Sequence, residues 1–277
     1  MKAVVITTPG GPEVLKLQEV EEPKVKDDDV LIRVEATALN RADTLQRQGK
    51  YPPPKGESEY PGLECSGTIE AVGKNVSRWK VGDEVCALIS GGGYAEKVAV
   101  PAGQVLPIPA GVSLKDAASF PEVACTVWST IFMTSRLSSG ETVLIHGGSS
   151  GIGTFAIQMT KYLGVKVFVT AGVDVILDNI GGPYFQKNLE SLGIDGRLFI
   201  IGFMGGVKTD ANISLLLAKR LTVQAEIVSE VEKNVWPAIA EGKVKPVVYK
   251  CLPLSEAGEA HKLMETSTHI GKILLLA

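Results

Sequence analysis

Along the first hundred positions, apolar residues recur in short runs. Each run is closed by glycine, proline or a charged loop, and none follows a helical period. Residues 2–7, 15–20, 30–38, 62–72, 84–88 and 93–100 read as strands, with a turn at Gly10-Gly11-Pro12 and a polar loop over 23–29. Many short strands with glycine and proline turns predict a partly closed barrel or sandwich. Ser113 then stands as an N-cap for one helix, and Pro121 opens a second, apolar helix ending near Gly140. From Glu141 the texture changes to strands alternating with helices, which predicts a parallel sheet with crossovers. Strands are expected over 142–146, 165–171, 173–179 and 197–202, and helices over 153–163, 183–192 and from the 221–225 strand to about residue 240. The tail returns to strand, helix (254–265) and strand (271–276), which predicts that it folds back onto the first region.

The central stretch is TVLIHGGSSGIGTFAIQMTKYLG, residues 142–164. An apolar strand runs into Gly147, Gly148, Gly151 and Gly153, and a helix follows. Backbone N–H groups approach a pyrophosphate closely only where no side chain intervenes, and the first helical turn favours negative charge. The spacing fits Gly148-x-x-Gly151-x-Gly153 as well as Gly147-x-x-x-Gly151-x-Gly153, and differs from G-x-G-x-x-G. A purely structural turn is the competing reading.

Composition narrows the class. The chain has 277 residues, 45% hydrophobic and 21% charged, enough for about two domains with a sizeable core. A net charge of −3 offers no basic stripe, so a nucleic-acid partner is not expected. Cys65, Cys86, Cys125 and Cys251 lie far apart, which argues against a disulfide framework or a closed structural zinc site. The start reads straight into a strand, and no run of apolar residues is long enough to span a membrane. These features predict a soluble cytoplasmic protein. His146, His261 and His269 do not cluster and read as structural, and Cys125 reads as a small buried hydrophobe. No acid–base residue is assigned.

Seven stretches carry a specific resemblance: ALNRADTLQRQGKYPPP, GLECSGTIEAVG, GGGYAE, HGGSSGIGTFAIQ, VDVILDNIGG, GRLFIIGFMGG and HIGKILL. With them the chain resembles the zeta-crystallin-type quinone oxidoreductases of the medium-chain dehydrogenase/reductase superfamily, near the branch of the tumour-suppressor-inducible quinone oxidoreductase. The resemblance implies an α/β fold. A GroES-like β-barrel domain (1–121 and 247–277) would join a Rossmann-type doubly wound sheet (122–246), with the nicotinamide in the cleft. It implies NADPH as cofactor, a small quinone or conjugated carbonyl as substrate, and a homodimer formed near residues 221–225. Its implied catalytic candidates are Tyr51, Asn40, Asp43 and Ser150. The implied cofactor-binding set is Thr126, Gly148, Ser149, Ser150, Gly151, Ile152, Gly153, Gly172, Asn179, Gly202, Phe203 and Met204. Each has a plainer alternative: a surface ring for Tyr51, a helix cap for Asp43, a turn serine for Ser150.

The chain also departs from its relatives. Zinc-dependent members place a cysteine where Asn40 stands and a histidine where Leu63 stands, and neither Asn nor Leu supplies a sulfur or imidazole ligand. No metal is therefore expected, and Glu64 reads as a hydrogen-bonded structural carboxylate rather than a ligand. An enone reductase and a non-catalytic protein with impaired cofactor binding are the alternative functions. The strands expected over 165–171 and 173–179 are separated by Gly172 alone, whereas a parallel crossover takes a dozen or more residues. In the family a helix, a strand and another helix lie there, the first carrying the grip on the NADP 2′-phosphate. A smaller join falls at Ala225-Glu226. Either the sequence omits residues of a longer chain, in which case both strands stay in the sheet and Gly172 and Val173 lie far apart, or the deletion is real.

Overall fold

The computed structural model describes residues 1–168, 173–224 and 231–277. The expected joins at Gly172–Val173 and Ala225–Glu226, and Gly172 itself, fall outside the described residues. The chain divides into two compact units, Met1–Glu122 with Pro246–Ala277, and Val123–Lys245.

In the first unit the chain forms β1 (Lys2–Ile6), β2 (Leu15–Glu19), β3 (Asp29–Ala38), α1 (Arg41–Arg47), β4 (Glu64–Val72), β5 (Glu84–Leu88), β6 (Lys97–Pro101), β7 (Val105–Pro107) and α2 (Leu114–Ala117). α3 (Pro121–Val127) leads into the second unit. There follow β8 (Thr142–Ile145), α4 (Gly151–Tyr162), β9 (Lys166–Phe168), β10 (Val173–Asp178), α5 (Gly182–Ser191), β11 (Leu192–Ile200), α6 (Ser214–Ala218), β12 (Thr222–Gln224), α7 (Val231–Asn234) and α8 (Trp236–Ala240). The tail supplies β13 (Val248–Pro253), α9 (Ala257–Glu265) and β14 (Lys272–Leu276) to the first unit.

Among the described residues, the larger sheet of the first unit has the order β13-β14-β3-β4-β5-β7, with β6 also on β3. Beside β4, β3 serves two further partners because it is ten residues long: Asp29–Arg33 pair with β6, and Ala36–Ala38 pair antiparallel with β14. Its inward residues Val30, Ile32 and Val34 pack with Ile69, Val85, Val98 and Val100. The last strand therefore lies against the third, which brings the C-terminal Lys272 beside Asn40 and Glu64.

The second unit is a parallel sheet, order β12-β11-β10-β8-β9 among the described residues. Val175, Ile176 and Leu177 of β10 are all buried, as a strand covered on both faces requires. β9 and β10 both lie in the sheet, parallel to β8 on its two sides. The first strand is thus flanked by strands reached in opposite directions, the position at which open α/β sheets leave a crevice.

Several elements differ from the sequence reading. The helix opened by Pro121 stops at Thr134 rather than Gly140. It ends in a π-helical stretch, Trp128–Thr134, in which the Ser135 N–H donates to the Thr130 carbonyl five residues back. β11 begins at Leu192, five residues early, and ends at Ile200. α6 is not legible in the sequence because ISLLLAK has apolar residues but no polar face. The helix expected to end near residue 240 is broken between α7 and α8, where Pro237 enters the first turn of α8.

Candidate functional site

In the second unit, the glycine turn closes tightly onto the sheet. Ser150 is the N-cap of α4, and its Oγ accepts the Gly153 N–H at 3.0 Å. Ser149 precedes it, and Gly151, Ile152 and Gly153 form the first helical turn. Gly147 has φ +67°, and a Cβ there would stand 2.5 Å from Asn179 Nδ2. A Cβ on Gly153 would collide with the Gly147 carbonyl and lie 2.6 Å from Gly148 Cα. β10 delivers Asn179 to this turn, and the Asn179 carbonyl accepts the Met204 N–H at 3.1 Å. Asn179, Gly147 and Gly202-Phe203-Met204 are thereby brought together, with Phe203 and Met204 half exposed.

Asn179 is 8% exposed, and its Oδ1 has no hydrogen-bond partner among the described residues. A buried acceptor without a donor is costly. An orphan acceptor beside a glycine turn that opens a helix suits a ligand presenting both hydroxyls and phosphates, as a dinucleotide does. The residues fit such a cofactor. Behind them the Asp178 carboxylate accepts the N–H groups of Ile180 and Gly181 and the Asn188 Nδ2 at 2.9 Å, while Asn188 Oδ1 faces His146 Nε2 at 2.7 Å. Thr126 lies on α3, its carbonyl accepting the Thr130 hydroxyl at 2.6 Å.

The first unit holds the other candidates. Asn40 follows β3 as the N-cap of α1, and Asp43 sits inside the first turn rather than at the cap. Its Oδ2 accepts the Asn40 N–H at 2.7 Å and its Oδ1 accepts the Gly62 N–H at 2.9 Å. Both side chains point into the protein. Tyr51 follows α1 and is 46% exposed.

Two buried polar networks meet here that the sequence reading does not contain. One runs through Arg47, His261 and Tyr94 to Asp43. Arginine can only donate, so its Nη1, 3.3 Å from His261 Nδ1, makes that nitrogen the acceptor and leaves the proton on Nε2. Nε2 then donates to the Tyr94 hydroxyl at 3.2 Å, and the hydroxyl donates to Asp43 Oδ2 at 3.3 Å. Burial pushes the Asp43 carboxyl up to about 7 despite these donors. Burial, with the Arg47 guanidinium beside it, pushes His261 down to about 3.

These shifts predict a pH signature. Between about pH 4 and 6.5, the unfolded chain carries its proton on His261 (ordinary value 6.5) and the folded chain on Asp43 (ordinary value 3.8). The numbers match, so the pair leaves little slope. With Asp43→Asn only His261 remains. The unfolded state then binds more protons, and stability rises with pH from about 3 to 6.5. With His261→Gln only Asp43 remains. The folded state then binds more protons, and stability falls from pH 3.8 to about 7. Denaturant unfolding across pH gives slopes of opposite sign for the two variants, whereas parallel profiles would contradict the pairing.

The second network centres on Glu64. Its Oε1 accepts Lys272 Nζ at 2.7 Å and Asn40 Nδ2 at 2.9 Å, and its Oε2 accepts the Glu122 N–H at 2.8 Å. Burial drives the Glu64 carboxyl upward, and the Lys272 ammonium paired with it pulls it back toward the carboxylate. Burial alone would lower the Lys272 ammonium, but Glu64 and Glu122 hold it above its ordinary value. Signals for these partners are present in the sequence: a lysine inside the apolar run of β14, and a tyrosine buried after three glycines.

Comparison with known proteins agrees with this geometry. Residues 26–110 match the alcohol dehydrogenase GroES-like domain, and residues 158–275 match the zinc-binding dehydrogenase family. The chain belongs to the medium-chain dehydrogenase/reductase superfamily, with a GroES-like and a Rossmann-type part. Within it, the chain is 29% identical to a quinone oxidoreductase of Rattus norvegicus, covering 100% of this chain and 98% of that one. It is also 29% identical to an acryloyl-coenzyme A reductase of Sulfurisphaera tokodaii, covering 99% of each. That alignment runs over 338 positions, 61 more than the 277 residues of this chain. The structure of an Escherichia coli quinone oxidoreductase complexed with NADPH superposes with a TM-score of 0.88 at 25% identity, each chain covered in full.

The second family name implies zinc. Asn40 and Leu63 offer no thiolate or imidazole, and Glu64 is already taken up by Lys272, Asn40 and the Glu122 N–H. Among the described residues no group of three or more His, Cys, Asp or Glu is placed to hold a metal ion. These residues do not fit zinc. Among the described residues no helix is long and apolar enough to cross a membrane.

Proposed function

We propose that this oxidoreductase reduces small quinones with NADPH and without zinc. The observation that carries the reading is the unsatisfied Asn179 Oδ1 beside the Gly147–Gly153 turn. Gly148, Ser149, Ser150, Gly151, Ile152 and Gly153 hold the pyrophosphate through backbone N–H groups. Asn179 and Gly202-Phe203-Met204 receive the rest of the cofactor, with Thr126 beside the carboxamide. When bound, NADPH supplies a hydride, and one proton from solvent completes the hydroquinone. A quinone is already strongly electrophilic, so positioning replaces a Lewis acid. NADPH is preferred to NADH because a solved relative carries it. Tyr51, with its exposed ring, is the substrate-contacting candidate of the first unit, and Asn40 and Asp43 hold the start of α1.

Conjugated carbonyls are the second substrate class, since one relative is named an acryloyl-coenzyme A reductase. Steady-state kcat/KM for a naphthoquinone against an alkenal ranks them: the higher value for the quinone supports this reading, and the reverse overturns it. Tyr51→Ala is expected to lower quinone kcat/KM by roughly tenfold, the worth of one aromatic contact, with an unchanged circular dichroism spectrum. Unchanged kinetics would return Tyr51 to the surface. A non-catalytic role is favoured by the chain's shortness relative to its relatives, and it predicts no detectable NADPH binding.

A further inference from the structure

Lys272 opens β14 and is 6% exposed, a cation inside a β-sheet domain. Its Nζ lies 2.7 Å from Asn40 Oδ1, 2.7 Å from Glu64 Oε1 and 3.3 Å from Glu122 Oε2, one acceptor for each of its three N–H bonds. The arrangement fixes both ends of the Asn40 carboxamide. An ammonium only donates, so the atom facing Lys272 is the oxygen. A carboxylate only accepts, so the atom facing Glu64 is the nitrogen. The same cluster joins the end of β3, the start of β4 and the start of α3.

We propose that Lys272 is a positioning residue: its ammonium is the resident cation of this corner, and the orientation of the Asn40 carboxamide depends on it. The kinetic consequence rests on the NADPH–quinone reading; the structural one does not. Lys272→Met alone leaves Glu64 without its cation. Adding Glu64→Gln removes that imbalance but cannot restore the geometry. The oxygen of the substituted side chain stays on the Glu122 N–H, its NH2 group then faces Asn40, and Asn40 must turn its own oxygen toward it.

The test uses the full chain in three forms: wild type, Lys272→Met, and Lys272→Met with Glu64→Gln. The denaturation midpoint is expected to fall in the single variant and largely recover in the double variant. Quinone kcat is expected to stay depressed in the double variant by roughly tenfold or more, with NADPH affinity unchanged. In NMR spectra, the Asn40 side-chain NH2 is expected to be protected from exchange in the wild type and to lose protection in the double variant. If kcat returns together with the midpoint, Lys272 is merely structural and the positioning role fails. If the wild type shows no quinone turnover, the preceding reading fails. Asn40 protection then decides this proposal alone, and protection that survives in the double variant overturns it.

Discussion

Gly153→Ala is expected to weaken NADPH binding by roughly 5- to 150-fold, because overpacking against immovable atoms costs about 1–3 kcal/mol. The atoms that a Cβ would meet are the Gly147 carbonyl and Gly148 Cα, both backbone. Neither rotates away, so the turn itself must open, and the N–H groups at the start of α4 leave their common focus. Ser150 Oγ also loses the Gly153 N–H. Gly103→Ala is the control, since a Cβ there meets nothing within 4 Å. Titration by NADPH fluorescence checks both variants, and equal affinities would show that the turn does not hold phosphate.

Glu64→Leu is expected to cost about 3–5 kcal/mol, the usual penalty for stranding one partner of a buried ion pair. Glu64 is fully buried and Lys272 nearly so, and the variant leaves an ammonium with only Asn40 and the more distant Glu122. The Arg220–Asp195 pair has comparably short contacts but exposed side chains, and its removal is expected to leave the unfolding midpoint unchanged. Chemical denaturation of both variants makes the comparison. A Glu64→Leu midpoint equal to wild type would mean that the buried pair contributes nothing.

The elements legible in the sequence are those whose local pattern and tertiary role agree. The β10 run VDVILD is apolar because both faces are covered, and the glycines after β8 are there because side chains would collide with Asn179 and with the turn. Ser113 is legible as a cap because an N-cap is a local contact, whereas Ser150 reads as a turn serine and caps α4 in the structure. The buried networks are not legible. Asn40 and Lys272 are 232 positions apart, and only the antiparallel pairing of β14 on β3 brings them together. In the sequence Asp43 reads as a cap for a helix that follows it; the helix instead begins two residues earlier, and Asp43 reaches back. The short connection between β9 and β10 is legible from chain geometry, and the alignment with the acryloyl-coenzyme A reductase runs over 61 more positions than this chain has residues.

A chain of this length is expected still to bind NADPH and to pass its electrons to a quinone. The most direct measurement mixes the purified protein and NADPH with a naphthoquinone and follows the loss of NADPH absorbance against a protein-free control. Saturable oxidation above the control, lost in Gly153→Ala, is the predicted result. Oxidation no faster than the control at any NADPH concentration would contradict it.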